Sequence, residues 1–344
     1  MALLSWNQFT FYQPSVGRML QNSIQTNRLS HSYIFEGPIG TKRIDAAFLL
    51  AKTLLCTQKD DHANPCGVCH HCTRVDKNVH PNLFFVQNDN KEIRKEQIKE
   101  LLVEFGKASI ETGPRIYIID QAERFNQYSA NILLKTMEEP GVDIFQILIT
   151  TQINSLLKTI ISRSQILHFR PIDKCQIKSD LEKEGFSPLL ASAVSEYTTN
   201  IDMAREMVEN PLIVDSVQLV IEMARSLQIK EKSIVLHFKE KRSAILGDMA
   251  ITDFFLTMLT LFLKDILNYK VRYLDLLVFT TETELIGKLS EAISQKRIEE
   301  LLDKMLGLKS RLKYNINVAL AFDKLLAYLE RGFDHGISSS SSSI

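Results

Sequence analysis

Four of the chain's five cysteines share the spacing Cys56-x9-Cys66-x2-Cys69-x2-Cys72. Two-residue gaps let successive thiolates converge on one ion from a tight knuckle, and four sulfurs fill the tetrahedral shell of a closed, structural Zn2+ site. A metal held in this way keeps shape and leaves no position open for chemistry. A set of free buried thiols is the poorer reading of this spacing. His62, His70, His71 and His80 lie near enough in sequence to be rival ligands. Four thiolates make them unnecessary, and most of them are expected to be exposed. The insertion at 56–72 is too small to have much core of its own, so bound metal is expected to stabilise it.

Directly before the knuckle stands a glycine turn, Gly37-Pro38-Ile39-Gly40-Thr41-Lys42-Arg43. It joins the apolar run 32–36, read as a short buried strand, to a helix from about 42 to 55 with Ala46, Ala47, Leu50 and Leu54 on one face. Further on come strands at 83–86, 115–120 and 144–150, with helices near 94–107 and 126–138, the second stopped by Pro140 after Glu138 and Glu139. Strands alternating with helices of this length predict an α/β domain with a parallel sheet covered on both faces. From about 172 the strand pattern ends. Short amphipathic helices to about 208 predict a small second domain, Asn210-Pro211 marks a boundary, and long helices follow to 331. Val318, Phe322, Leu325, Leu326 and Leu329 form one apolar helix face, either core or subunit interface. The run Phe254 to Leu263 is about half the length of a membrane span and reads as a buried core helix. The serine-rich end, 338–343, is expected to be disordered.

A working phosphate loop follows G-x-x-x-x-G-K-[ST], in which glycines open backbone N–H groups to phosphate, lysine reaches the outer phosphates and the hydroxyl holds magnesium. With Lys42 in the lysine position, Glu36, Thr41 and Arg43 fall on the two glycines and the hydroxyl. With Gly37 as the first glycine, Lys42 falls on the second, Arg43 on the lysine and Ile44 on the hydroxyl. Neither register is complete, so the loop reads as one residue short and without a magnesium ligand. The strand 115–119 does end in Asp120, the second expected part, but Gln121 stands where a glutamate would orient or deprotonate water, and an amide is no base. Glu123, two residues further along, is expected to point elsewhere if a helix starts there. Gly37, Gly40, Thr41, Lys42 and Asp120 thus form a degenerate nucleotide site from which hydrolysis is not expected; weak nucleotide binding stays open.

The 41 lysines and arginines balance the 41 aspartates and glutamates, which argues against a chain that grips DNA alone. Lys91, Arg94, Lys95 and Lys99 alternate with Glu92, Glu96 and Glu100, as on a salt-bridged helix face. Metal-spaced cysteines and the absence of a leader-like or membrane-spanning segment point to a reducing, cytoplasmic setting.

The sequence His31-Ser32-Tyr33-Ile34-Phe35-Glu36-Gly37-Pro38, the cysteine knuckle, Ala130-Asn131-Ile132-Leu133-Leu134-Lys135-Thr136-Met137-Glu138-Glu139-Pro140 and Thr159-Ile160-Ile161-Ser162-Arg163-Ser164 occur in this order. Together, over about residues 5–330, they resemble bacterial clamp-loader subunits of the AAA+ family, those of DNA polymerase III. The resemblance implies an AAA+ ATPase-like domain (1–171) carrying the zinc module, a three-helix lid (172–208), a helical collar (209–333) for oligomerisation and a disordered tail (334–344). It further implies a non-hydrolysing stator in a hetero-pentamer with gamma/tau-type ATPase subunits and a delta-type subunit, which loads a sliding clamp onto primed DNA. The Ser162-Arg163-Ser164 segment is similar to the Ser-Arg-Cys motif, whose arginine reaches ATP bound by the neighbouring subunit; serine replaces the cysteine here. The bland alternative for Arg163 is a helix cap or a local carboxylate partner. For Lys135, Glu138 and Glu139 local pairing is the simpler reading. Competing functions are an active ATPase of the gamma/tau type and a stand-alone zinc-containing DNA-binding module.

Overall fold

The computed structural model describes residues 5–87, 111–138, 143–229, 233–312, 314 and 316–334. The interleaved charges at 91–100, the helix expected at 94–107, Glu139, Pro140 and the serine run lie outside them. The chain divides into two compact units, 1–173 and 174–344.

The first unit opens with α1 (Trp6–Tyr12) and α2 (Pro14–Gln25). A capping box starts α1, in which Ser5 and Gln8 exchange side-chain and backbone bonds. There follow β1 (Ser32–Glu36), α3 (Arg43–Leu55), α4 (His70–Asp76), β2 (Leu83–Val86), β3 (Arg115–Ile119), α5 (Gln127–Glu138), β4 (Ile144–Thr150), α6 (Lys158–Ile161) and β5 (Gln165–His168). All five strands are parallel, in the order β2-β3-β4-β1-β5. Successive strand residues point to opposite faces, and both faces are apolar. Tyr33, Phe35, Ile116, Ile118, Ile147 and Ile149 pack under α1 to α4 with Trp6, Phe9 and Leu50. Ile34, Tyr117, Ile119 and Leu148 pack against Leu133 and Met137 of α5 and Ile160 of α6. This is the two-sided burial that continuous apolar strands predict.

The order places β1 beside β4, yet the chain leaves them toward opposite edges of the sheet, to β2 and to β5. The crevice outside such carboxyl ends is where open α/β sheets hold ligands. Glu36 of β1 lies in register with Thr150 of β4 there.

The second unit is helical throughout its described residues: α7 (Lys174–Lys183), α8 (Pro188–Tyr197), α9 (Ile201–Glu209), α10 (Pro211–Ile229), α11 (Ile234–Leu246), α12 (Met249–Lys270), α13 (Thr283–Ala292), α14 (Gln295–Arg311) and α15 (Val318–Asp334). The apolar run at 254–263 is the middle of α12, which packs against α10, α11, α13 and α14. Phe238, Phe255 and Phe322 bring α11, α12 and α15 together in a stack with centroids 5.4–6.0 Å apart. Phe322, Leu325, Leu326 and Leu329 are buried, so that stripe faces core. One charge is sealed inside: Asp265 of α12 accepts the backbone N–H groups of Val278 and Phe279 at 2.9 and 2.8 Å through Oδ2. Its Oδ1 has no hydrogen-bond partner, and burial pushes its pKa up to about 6. Among the described residues no helix is long and apolar enough to cross a membrane.

Candidate functional site

The knuckle is assembled by α4 and the loop before it. Cys56 caps the end of α3, Cys69 caps the start of α4, and Cys72 lies in the first turn of α4. The four Sγ atoms lie within 4.8 Å of one another, with Cys66–Cys72 at 3.9 Å and Cys56–Cys69 at 4.0 Å. Four thiolates at about 2.3 Å from one zinc ion would stand roughly 3.8 Å apart, so the donor set fits the metal. Backbone N–H groups turn toward the sulfurs as a thiolate cage requires: Gln58 and Cys66 donate to Cys56, Cys69 to Cys66, and Cys72 to Cys69. Burial pushes the Cys56 and Cys72 thiols up, whereas Cys69 is held at about 6 against its burial by the Cys72 N–H and neighbouring thiols. Four anions cannot share this space unaided, and a divalent cation makes them compatible. Cys175 is exposed.

The histidines differ from the sequence expectation. His62 and His70 are exposed, but His71 is half-buried and His80 is buried. His71 Nδ1 and His80 Nε2 meet at 2.9 Å, and Glu111 Oε2 lies 3.8 Å from both. Arg74 holds the other oxygen of Glu111 at 2.5 Å. Because His80 Nδ1 accepts the Asn82 N–H, its proton sits on Nε2 and is donated to His71. That tautomer has no lone pair free for a metal. Burial, with His71 beside it, holds the His80 pKa near 4, so the ring is neutral at physiological pH. The group fastens the chain after α4; Glu111 is 31 positions from His80, and spacing alone could not reveal it.

The loop between β1 and α3 follows the second of the two registers. The helix begins at Arg43, and Lys42 before it is left-handed, with φ 63° and ψ 26°. That backbone is what the motif's second glycine supplies, so the loop is of full length, with Lys42 in the glycine's place, Arg43 in the lysine's and Ile44 in the hydroxyl's. The expectation of a loop one residue short is corrected accordingly: only the observed backbone separates two registers that each carry a basic residue near the right place. Glycine is required at 37 for packing, since a Cβ there would stand 2.5 Å from the Phe169 carbonyl oxygen.

Lys42 is buried and 3.7 Å from Asp45. Arg43 is only 8% exposed, and its guanidinium donates to the carbonyl of Thr150. Burial pulls its pKa down, while Asp120, Glu123 and Glu36 hold it up. Asp120 is raised by burial, against the Gln121 backbone and Arg43. Gln121 adopts φ 54°, which turns the chain so that Glu123 comes back to the strand ends and accepts from the Thr151 hydroxyl at 2.8 Å. The expectation that Glu123 points elsewhere is thereby corrected. The crevice holds Arg43 with the carboxylates of Asp120 and Glu123, while Glu36 at its edge meets His168 Nδ1 at 2.8 Å.

Arg163 lies in the turn after α6. It donates to the Thr159 carbonyl at 3.2 Å and pairs with Glu138, the last residue of α5, at 3.0 Å. Both partners are substantially exposed, 38% and 53% for the side chains. Ser164 Oγ bonds to the Ile160 carbonyl and lies 2.9 Å from Ser32 Oγ in β1, which ties the turn to the sheet.

Residues 12–173 match the family described as DNA polymerase III, delta subunit, and residues 250–331 match DNA polymerase III, delta subunit, C terminal. The DNA polymerase III subunit delta' of Bacillus subtilis is 33% identical over 329 residues, 96% of this chain and 99% of that one. The chain belongs to the DNA polymerase III subunit delta' family. The tau subunit of Escherichia coli is 32% identical over 181 residues, which are 52% of this chain and 28% of that protein. A DNA polymerase III gamma subunit-related protein from Thermotoga maritima superposes with a TM-score of 0.41 at 13% identity, covering 91% of this chain and 99% of that one. Membership in the delta' family and the five-stranded parallel sheet agree with the AAA+-type α/β class expected from the sequence. In this delta' family member the residues that spacing did not expose are Arg43 as a buried counter-ion and the His71–His80–Glu111 group; a basic residue in the lysine's place was the one available signal for the first.

Proposed function

We propose that this chain is a non-hydrolysing subunit of the DNA polymerase III clamp loader, which assembles with gamma/tau-type ATPase subunits and a delta-type subunit to load the sliding clamp onto primed DNA. The observation that carries the reading is the crevice. Lys42 replaces the loop glycine, Ile44 the magnesium-binding hydroxyl and Gln121 the glutamate, and Arg43 is already engaged with Thr150. Three parts of the phosphoryl-transfer apparatus are missing together. Delta' family membership and the similarity of residues in the first half to tau support the assembly. In this reading α7 to α9 serve as the lid, α10 to α15 as the collar, and the four cysteines hold a structural zinc ion.

Arg163 would act on ATP held by a neighbouring subunit, where a guanidinium delivered in trans stabilises charge on the transferring phosphoryl group, an effect of about 10³ to 10⁵ in rate in related chemistry. Its present ion pair is no obstacle. An exposed pair such as Arg163–Glu138 is worth roughly 0–1 kcal/mol, which a phosphate can replace. The test is steady-state ATP turnover by gamma/tau-type subunits with clamp and primed DNA, with this chain added as wild type or Arg163→Ala, and with the chain alone as control. Full turnover is expected only with the wild type, and none from the chain alone. Hydrolysis by the chain alone, or equal turnover with Arg163→Ala, would reject the reading.

A further inference from the structure

The loop of the first unit has two ends, and both are fastened to one atom. At its start the Gly37 N–H donates to the carbonyl of Thr150 at 3.2 Å. At its end Arg43, the first residue of α3, folds its side chain back and donates from Nη1 to the same carbonyl. The middle is tied as well. The Gln13 side chain, itself buried, donates from Nε2 to the carbonyls of Thr41 and Arg170 at 3.2 and 2.7 Å, and its Oε1 accepts the Arg170 N–H at 3.1 Å. The Thr41 hydroxyl closes back on the Pro38 carbonyl at 2.8 Å. In a working loop of this length the corresponding basic side chain and backbone N–H groups are directed at phosphate, and a divalent cation balances the strand-end carboxylate.

We infer that Arg43 is a built-in stand-in for bound nucleotide and metal: its guanidinium closes the loop onto Thr150 and supplies the positive charge that Asp120 and Glu123 need, Glu36 being already paired with His168 at 2.8 Å, so that the crevice keeps one shape without any ligand. This rests on the reading of the chain as non-hydrolysing and adds to it how the crevice is kept rigid. The arrangement follows from the strands. Glu36 is in register with Thr150, Asp120 directly follows β3, and Glu123 is bonded to Thr151. The carbonyl that Arg43 meets therefore lies at the strand ends that carry Asp120 and Glu123, while the Glu36 side chain turns to His168 of β5 at 2.8 Å. Removing a buried cation leaves acids uncompensated, which is far more costly than losing a surface charge. Lysine would keep the charge but not the planar fork.

The experiment is thermal unfolding of the full chain as wild type, Arg43→Lys and Arg43→Ala, each alone and with millimolar Mg·ATP, together with hydrogen exchange of the amides at 37–42. The wild type is expected to show no shift with Mg·ATP. Arg43→Ala should melt about 5–10 °C lower, given what removal of one partner from a buried charge group costs in a unit of this size. Arg43→Lys should fall between, with faster exchange at 37–42 while the rest of the sheet stays protected. If Arg43→Ala does not fold, the lysine variant decides alone. Unchanged melting and exchange in Arg43→Lys and Arg43→Ala would overturn the inference. So would a wild type stabilised by Mg·ATP in a way that the variants lose, since Arg43 would then be a phosphate ligand. Neither result touches the non-hydrolysing reading, which falls only if the wild type alone turns over ATP.

Discussion

The cysteine knuckle and the loop before it occupy adjoining stretches of one sheet unit and handle concentrated charge in opposite ways. At the knuckle, four sulfurs converge with N–H groups aimed at them, and a cation that joins them would come from outside the chain. At the loop, Asp120 and Glu123 lie at the strand ends beside Glu36, which meets His168, and the buried cation is the chain's own Arg43. On the proposed reading, an intact motif goes with dependence on an external ion, and a broken motif with independence from one. Asp265 in the helical unit is a third case, a buried carboxyl whose unpartnered Oδ1 suits neutralisation by a proton.

The contrast is broken most directly at the knuckle. Structural zinc contributes about 10–16 kcal/mol in small modules, so Cys72→Ser is expected to take zinc content well below one equivalent and to expose the amides of 56–76 to exchange. Cys175→Ser, an exposed cysteine outside the cluster, should change neither. Retention of a full equivalent by Cys72→Ser would mean that the knuckle is no four-sulfur site. Next in size is Asp265, whose pKa rises from 3.8 to about 6 on folding. A carboxyl raised in this way favours the folded state fully below the unfolded value, and that contribution is lost as pH rises through about 6. The loss above that pH is about 3 kcal/mol at 1.36 kcal/mol per unit. Asp265→Asn keeps an acceptor for Val278 and Phe279 and removes the charge. In urea unfolding it should gain about 1–2 kcal/mol over wild type at pH 8 and nothing at pH 4. A variant equally weakened at both would show that Asp265 is ionised and held by bonds. The smallest effect belongs to the exposed pair. Glu138→Gln should change stability by less than about 1 kcal/mol, and less still in high salt.

Much of the sheet unit was legible because its strands are short, apolar and separated by helix-length segments; the bounds of β1, β2 and β4 follow the apolar runs. The cysteine cluster was legible because its ligands are local in sequence. The loop register was not, because Lys42 and Arg43 stand side by side and either could be taken for the motif's lysine. What separates them is a single left-handed residue, and backbone sign leaves no trace in a sequence when the residue that adopts it is not glycine. The Arg163–Glu138 pair and the Glu111 contacts join residues far apart in the chain, where periodicity carries no information.

Gln13 sets a timetable for the chain as it is made. Its amide is complete only when it holds Arg170, 157 positions later, and β1 gains its β5 neighbour only when residues 165–168 exist. At roughly 5–20 residues per second, a ribosome needs on the order of 8–30 s to supply that partner. For most of that interval β1 has neither neighbour, since β4 at 144–150 and β5 at 165–168 are both made late, and the loop is unriveted, so the sheet unit reaches its final form in the last moments of its own synthesis.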